Sequence, residues 1–213
     1  MADVVSLTFN PFQENTYIVF DQTKACVIFD PGCSDASEQA RLVQELEKRS
    51  LRPVRLINTH CHIDHVFGNS FISRKYGLGL EIHSGELPVL EATPQVAALY
   101  GIPYPDPSPR PKRYIEEGEI IEFGQTRMEA ILTPGHSPAS LSFYCEEDDF
   151  LIAGDVLFYG SIGRTDLPGG DYDTLIQSIK TKLLPLGDEV RVYPGHMQPT
   201  TIGYEKAHNP FLR

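Results

Sequence analysis

The chain has 213 residues, 41% of them apolar and 22% charged. That balance belongs to a globular protein with a real core; it excludes a disordered chain, and no G-X-Y or heptad period points to a fibre. Lys and Arg number 18 against 29 Asp and Glu, so the net charge is −11, which repels phosphate backbones and argues against a nucleic-acid partner. Length favours one domain over residues 1–213. No apolar run approaches the ~18 residues of a membrane span. No basic residue precedes Lys24, so the n-region of a secretory leader is lacking, and a cytoplasmic chain with no membrane partner is expected. Cys26, Cys33, Cys61 and Cys145 show no CxxC spacing and are expected as free thiols in or near the core.

The opening alternates short β-rich runs with turns. Val5–Phe9, Thr16–Phe20 and Cys26–Asp30 are predicted strands of a meander, the third closed by the turn residues Asp30-Pro31-Gly32. Residues 37–48 follow as a helix, with Ala40, Leu42, Val43 and Leu46 at helical spacing. Arg55–Asn58 is a short strand, Phe67–Lys75 a short helix after a loop, and Ser84 a candidate N-cap for another helix. The proline-dense stretch 103–113 is expected as a surface loop, because composition is similar on both sides of it. Strands return at Ile120–Phe123, Met128–Leu132, Leu141–Cys145 and Phe150–Ala153. A helix from Tyr172 to about Leu184 carries Leu175, Ile176, Ile179 and Leu183, and Arg191–Tyr193 is a further strand. Strands outnumber interspersed helices, which suggests sheets covered by helices in a layered α/β fold.

Four polar clusters each follow the end of an apolar strand: Thr59-His60-Cys61-His62-Ile63-Asp64-His65, Thr133-Pro134-Gly135-His136, Asp155 after Phe150–Gly154, and His196 after Arg191–Gly195. Functional loops gather at strand carboxyl ends. If these ends meet, five imidazoles and two carboxylates converge. Such donors suit zinc, iron or manganese, and seven are too many for one tetrahedral ion and about right for two. His60 and His62 share one side of an extended segment, while Asp64 and His65 can turn toward a neighbouring ion. The spacing is not the helical H-E-x-x-H arrangement. His83 and His208 lie outside any such cluster and are read as ordinary histidines.

These motifs, T-H-x-H-x-D-H, T-P-G-H, G-D and P-G-H in that order and spacing, resemble the metallo-β-lactamase superfamily over nearly the whole chain. The resemblance implies a four-layer αββα sandwich. It implies that His60, His62 and His136 hold one metal, that Asp64, His65 and His196 hold a second, and that Asp155 bridges them with a water or hydroxide. Two divalent ions are therefore expected, zinc first, with iron or manganese also suited. Flavodiiron proteins place a glutamate where His62 stands. Many true β-lactamases carry Cys or Ser at the bridging position and are exported, so lactam hydrolysis is not expected. Residues 154–170, GDVLFYGSIGRTDLPGG, are similar to the glyoxalase II and persulfide dioxygenase branch. The tail LLPLGDEVRVYPGHMQPTTIGYEKAHNPFL resembles the short, single-domain glyoxalase II-like hydrolases of bacteria. The larger glyoxalase II enzymes add a helical domain that completes their glutathione site. This chain ends at Arg213, so that domain is expected to be missing and the chemistry is better defined than the substrate.

The expected activity is hydrolysis of a small-molecule thioester such as S-lactoylglutathione. A metal lowers the pKa of bound water from about 15.7 toward ~7, so the hydroxide is the nucleophile and no serine or cysteine is needed. One metal can also stabilise the oxyanion. A thiolate leaving group, with a thiol pKa of about 8.5, needs no strong general acid. Asp64 is either a plain ligand or also manages the hydroxide proton. The alternative is a persulfide dioxygenase acting on glutathione persulfide, with one iron on His60, His136 and Asp155. A non-catalytic binding protein is disfavoured by the intact ligand set. Asp30 is the candidate to fix a histidine tautomer, against a plain turn role. Cys61 is read as packing. Arg164 either touches substrate or pairs with Asp166, and Tyr159 is a candidate pocket wall. Arg110, Lys112 and Arg113 are read as a solvated loop.

Overall fold

The β-rich opening folds as an antiparallel meander, and its hydrophobic runs explain which strands lie inside. A computed structural model describes residues 1–213. Strand β1 (Asp3–Phe9) alternates exposed and covered positions at a sheet edge, whereas β2 (Glu14–Phe20) and β3 (Ala25–Phe29) are buried throughout. The backbone clusters into two compact units, one of residues 1–115 with 122–126, the other of residues 116–121 with 127–213.

In the first unit, helix α1 (Ala36–Lys48) carries the chain across to β4 (Arg52–Ile57), parallel to β3. Asp35 caps α1 by accepting from Glu38 N at 2.9 Å. Leu42 and Leu46 are buried as the spacing predicts, whereas Ala40 lies on the exposed side. The sheet continues through β5 (Leu80–Ile82) and β6 (Arg113–Tyr114) in the order β1-β2-β3-β4-β5-β6. Ile18, Ile28, Leu42, Leu46, Leu56, Ile72 and Leu80 form its core. The helix expected over Phe67–Lys75 is α3 (Asn69–Tyr76), and an unexpected one-turn helix, α2 (Ile63–Val66), precedes it. They part at Gly68, whose N–H is drawn to the Pro31 carbonyl at 2.7 Å. Helix α4 (Leu87–Tyr100) follows a short 3-10 turn at Ser84–Glu86, and the capping acceptor there is His83 Nδ1, taking Gly85 N at 3.1 Å, not Ser84. The proline-rich loop is pinned to α3, since Ser70 Oγ donates to the Pro107 carbonyl at 2.6 Å and Arg74 pairs with Asp106.

In the second unit, the sheet order is β14-β13-β10-β9-β8-β7. The strands are β7 (Ile120–Phe123), β8 (Thr126–Leu132), β9 (Leu141–Cys145), β10 (Phe150–Gly154), β13 (Arg191–Pro194) and β14 (Thr200–Thr201). A small hairpin, β11 (Leu157–Phe158) with β12 (Ser161–Ile162), stands apart from the sheet. β10 and β13 are parallel, and β9 is antiparallel to both β8 and β10, so β8, β10 and β13 end at one edge. His136, Asp155 and His196 each follow one of those ends. The core joins Leu151, Val156, Leu175, Ile179, Val192 and Ile202. Helix α5 (Tyr172–Ser178) widens into a π turn at Ile179–Leu183 and ends in a 3-10 turn at Leu184–Leu186, so the single predicted helix is three segments. Helix α6 (Ile202–His208) follows β14. No helix is long and apolar enough to cross a membrane.

Candidate metal centre

The first unit gathers the T-H-x-H-x-D-H residues and Asp30. β4 ends at Ile57, and Asn58 and Thr59 turn the chain onto Asp30 at the end of β3. Asp30 Oδ1 accepts from Thr59 N at 2.7 Å and Asn58 Nδ2 at 3.2 Å; Oδ2 accepts from Thr59 Oγ1 at 2.6 Å. Its backbone is left-handed, with φ +48°. His65 Nδ1 stands 3.2 Å from Asp30 Oδ2, and His65 Nε2 stands 3.7 Å from Asp64 Oδ2. The His60 ring meets His62 edge-on at a centroid distance of 4.8 Å and His65 at 4.1 Å. Asp64 and His65 lie on α2, not on the extended run that holds His60 and His62.

The proton positions follow from the partners. Thr59 Oγ1 gives its proton to Asp30, so toward His60 Nδ1, 3.1 Å away, it accepts. His60 therefore carries its proton on Nδ1. His65 Nδ1 lies 3.2 Å from Asp30 Oδ2 outside hydrogen-bond alignment, and that carboxylate favours the ring's proton on Nδ1 as well. Both Nε2 atoms keep a lone pair.

The second unit repeats this arrangement. His136 Nδ1 donates to the Arg164 carbonyl at 2.7 Å, again leaving a lone pair on Nε2. That Nε2 lies 3.5 Å from Asp155 Oδ2, and His196 Nε2 lies 3.4 Å from the same oxygen. The loop bearing His136 is fixed on α5 and its π turn. Lys182 Nζ donates to the Leu132 carbonyl at 2.7 Å, Ser178 Oγ to the Pro134 carbonyl at 2.8 Å, and Asp171 N to the Gly135 carbonyl at 2.8 Å.

A carboxylate oxygen facing imidazole lone pairs at 3.5 and 3.7 Å is repulsive as it stands and favourable around a cation. The donor set therefore fits divalent metal in both units. No thiol competes as nucleophile, since burial pushes all four up, Cys145 to about 11 and Cys26 to about 12. Cys61 is fully buried in the core beside Leu56, as packing requires.

The Arg164 guanidinium forms a two-bond fork with Asp166, 2.7 Å on each arm. That fork holds the Asp166 carboxyl down to about 2. Tyr159 is partly exposed, stacks on Tyr204 with ring centroids 4.8 Å apart, and accepts from the Tyr204 hydroxyl at 2.8 Å.

Other residues take part that the sequence did not mark. Buried Glu86 accepts from Cys61 N at 2.9 Å, between the two motif histidines. Asn10 Nδ2 holds the carbonyls of Gly32 and Asp64, each at 3.0 Å. Asn58 Nδ2 reaches the His65 carbonyl at 2.9 Å, and Asn69 in turn donates to Asn58 Oδ1 at 2.7 Å. These residues lie far from the motif in sequence, or lack a metal-ligand side chain, so spacing carried no signal for them.

Comparison with known proteins agrees with this chemistry. The family model for the metallo-β-lactamase superfamily matches residues 9–196, across both units. A curated relative from Haemophilus influenzae, hydroxyacylglutathione hydrolase GloC, is 40% identical over 204 residues, covering 94% of this chain and 93% of the relative. The solved structure of BLEG-1, a B3 metallo-β-lactamase, superposes with a TM-score of 0.89 at 35% identity, covering 100% of this chain and 99% of that one. TTHA1623, solved in a di-iron-bound form, gives 0.87 at 37% identity, covering 98% and 100%. The chain belongs to the metallo-β-lactamase superfamily and has its α/β fold.

Proposed function

We propose that the chain is a metal-dependent thioester hydrolase that uses two divalent ions. His60, His62 and His136 would hold one ion, Asp64, His65 and His196 the other, and Asp155 would lie between them. The observation that carries the reading is the orientation of the histidines: the Nδ1 protons of His60 and His136 go to the Thr59 hydroxyl and the Arg164 carbonyl, and His65 turns Nδ1 toward Asp30 at 3.2 Å, which leaves each Nε2 to ligate. Bound there, divalent metal supplies hydroxide near neutral pH and a Lewis acid for a carbonyl oxygen. Zinc is the first candidate, and the di-iron form of TTHA1623 supports iron as a second.

The chain's own residues set the rest. Asp155 carries its carboxylate between two imidazoles, and Asp64 faces His65 Nε2 as a plain ligand does. The Arg164–Asp166 fork is exposed at 59% and 67%, so it is worth little and its guanidinium can turn to a substrate carboxylate. A glutathione thioester such as S-lactoylglutathione is supported by the GloC relative. Reduced thiol carriers of this kind belong to the cytoplasm, which the four buried free cysteines also suit.

The test joins metal analysis to activity assays. Two metals per chain with S-lactoylglutathione hydrolysis is the expected result. One iron per chain with oxygen uptake on glutathione persulfide would establish the dioxygenase in its place. Turnover of a β-lactam without thioester turnover would assign the chain the activity named for BLEG-1.

A further inference from the structure

We propose that the stacked rings of Tyr159, Tyr204 and His208 form a ledge beside His196 that binds the peptide portion of a small thiol carrier. The ligand class rests on the thioester reading above; the ledge itself rests on geometry within the second unit. Tyr159 and Tyr204 lie nearly parallel, 15° apart, with centroids at 4.8 Å. His208 covers the next face, 21° from Tyr204 at 4.5 Å, with its Nδ1 on the Tyr204 carbonyl at 3.0 Å. Tyr204 is thus sandwiched, and the row ends on Tyr159, which is 37% exposed.

The ledge is one residue in sequence from a contact to a candidate ligand. Tyr159 follows Phe158, whose ring meets His196 edge-on at 6.2 Å. It is also rigidly built. Glu205 is fully buried, and both of its oxygens accept from Gly160 N, at 3.0 and 3.2 Å. The same carboxylate takes Thr200 Oγ1 at 2.6 Å and Asn209 Nδ2 at 2.7 Å, while Asn209 Nδ2 also reaches the Ser161 carbonyl at 2.9 Å. A buried carboxyl group held by three donors ties the β11–β12 turn to α6, which is more anchoring than an idle surface turn requires. A tyrosine held in this way offers flat apolar area at little entropic cost.

The hydroxyls have a direction too. The Tyr204 phenol donates to Tyr159 and is raised by doing so, so the Tyr159 hydroxyl still has its own proton to give. A flat face with a phenol donor at its rim suits planar amides that stack on the ring and present a carbonyl or carboxylate. A carrier bearing several phosphates is opposed by the net charge of −11. The ligand is therefore a short peptide thiol and not a nucleotide one.

The experiment uses the metal-loaded full chain and S-methylglutathione, which cannot be hydrolysed as a thioester, with coenzyme A as the contrasting probe. Equilibrium binding is measured for wild type, Tyr159→Phe, Tyr159→Leu and Tyr204→Leu, with thermal melts to confirm folding. Loss of the stacking face should weaken S-methylglutathione binding about fivefold in either leucine variant, Tyr159→Phe should lose about twofold, and coenzyme A should bind more weakly than S-methylglutathione to wild type. Tyr159→Leu should also lower the kcat/KM preference for S-lactoylglutathione over S-lactoyl-N-acetylcysteamine by about the same fivefold factor. Equal affinities across folded variants, no binding by wild type, or tighter binding of coenzyme A would overturn the ledge. Binding that depends on Tyr159 in a chain without thioester turnover would sink the hydrolase reading and leave the ledge standing. Turnover with unaltered Tyr159→Leu binding would do the reverse.

Discussion

Asp30→Asn separates a tautomer-setting carboxylate from a turn residue. The side chain is 1% exposed, and its backbone, at φ +48°, is one that asparagine tolerates well. The amide oxygen can keep the Oδ1 contacts to Thr59 N and Asn58. The amide nitrogen then replaces Oδ2, where it meets the Thr59 hydroxyl and His65 Nδ1. Both must become acceptors. His65 has to move its proton to Nε2. The Thr59 hydroxyl, turned away from position 30, donates to His60 Nδ1, so that His60 shifts its proton as well. One isosteric change thus removes lone pairs from two ligand nitrogens. The Thr59 hydroxyl bond to a carboxylate, worth about 1.5–3 kcal/mol, gives way to a neutral one of about 0.5–1.5, for a net loss of roughly 1–1.5 kcal/mol. Against a stability of about 5–15 kcal/mol the variant stays folded. Its metal affinity should fall about 10–100-fold. Urea denaturation of the metal-free chain gives the first quantity, and chelator competition for zinc gives the second. A folded Asp30→Asn variant that binds zinc within about threefold of wild type would refute the tautomer argument. Asp30→Ala should be less stable than Asp30→Asn, because it orphans the Thr59 and Asn58 donors and puts a methyl at positive φ.

Gly135→Ala should destabilise by about 3 kcal/mol or more, because φ is +127° and an added Cβ would run into the Leu175 backbone on α5; a melting temperature within a degree or two of wild type would contradict that packing. Glu14 is fully buried, and burial raises its carboxyl well above the usual 4.5, so the folded chain holds a proton that the unfolded chain releases. Stability should accordingly fall as pH rises from near 4.5 through the raised value, and Glu14→Gln should flatten that slope and be the more stable protein at alkaline pH. Denaturation midpoints across pH check this, and identical slopes for the two proteins would exclude it.

The sequence carried the strands well, and marked the candidate ligands, for one physical reason. Both are written in local patterns: alternation in β8, continuous apolar runs in β3 and β10, and clustered imidazoles after β4. Non-local demands were illegible. The break at Gly68 depends on the Pro31 carbonyl, and the π turn after Ser178 sits where α5 holds the His136 loop through Lys182 and Ser178. His83 displaced Ser84 as cap acceptor because an imidazole Nδ1 can take the same N–H as a hydroxyl. Short pieces such as β5, β6 and β14 carry too few residues for a period to show. Asp30 was visible as a strand-end carboxylate, whereas Glu86 and Asn10 were not, since each acts on backbone atoms of a distant segment.

The histidine count alone suggested metal, but the proton positions make the stronger case. His60, His65 and His136 each turn Nδ1 toward an oxygen of a different kind: a hydroxyl, a carboxylate and a main-chain carbonyl. A packing histidine has no reason to present the same nitrogen every time. Here the bare nitrogens of His65 and His136 face carboxylates at 3.7 and 3.5 Å, longer than a hydrogen bond and closer than two electron-rich groups settle without a cation. The two units arrive at this polarity separately, through unrelated strands and partners. If the proposed ions bind, the formal charge of −11 overstates the acidity of the working protein, because Asp64 and Asp155 enter that count as bare anions.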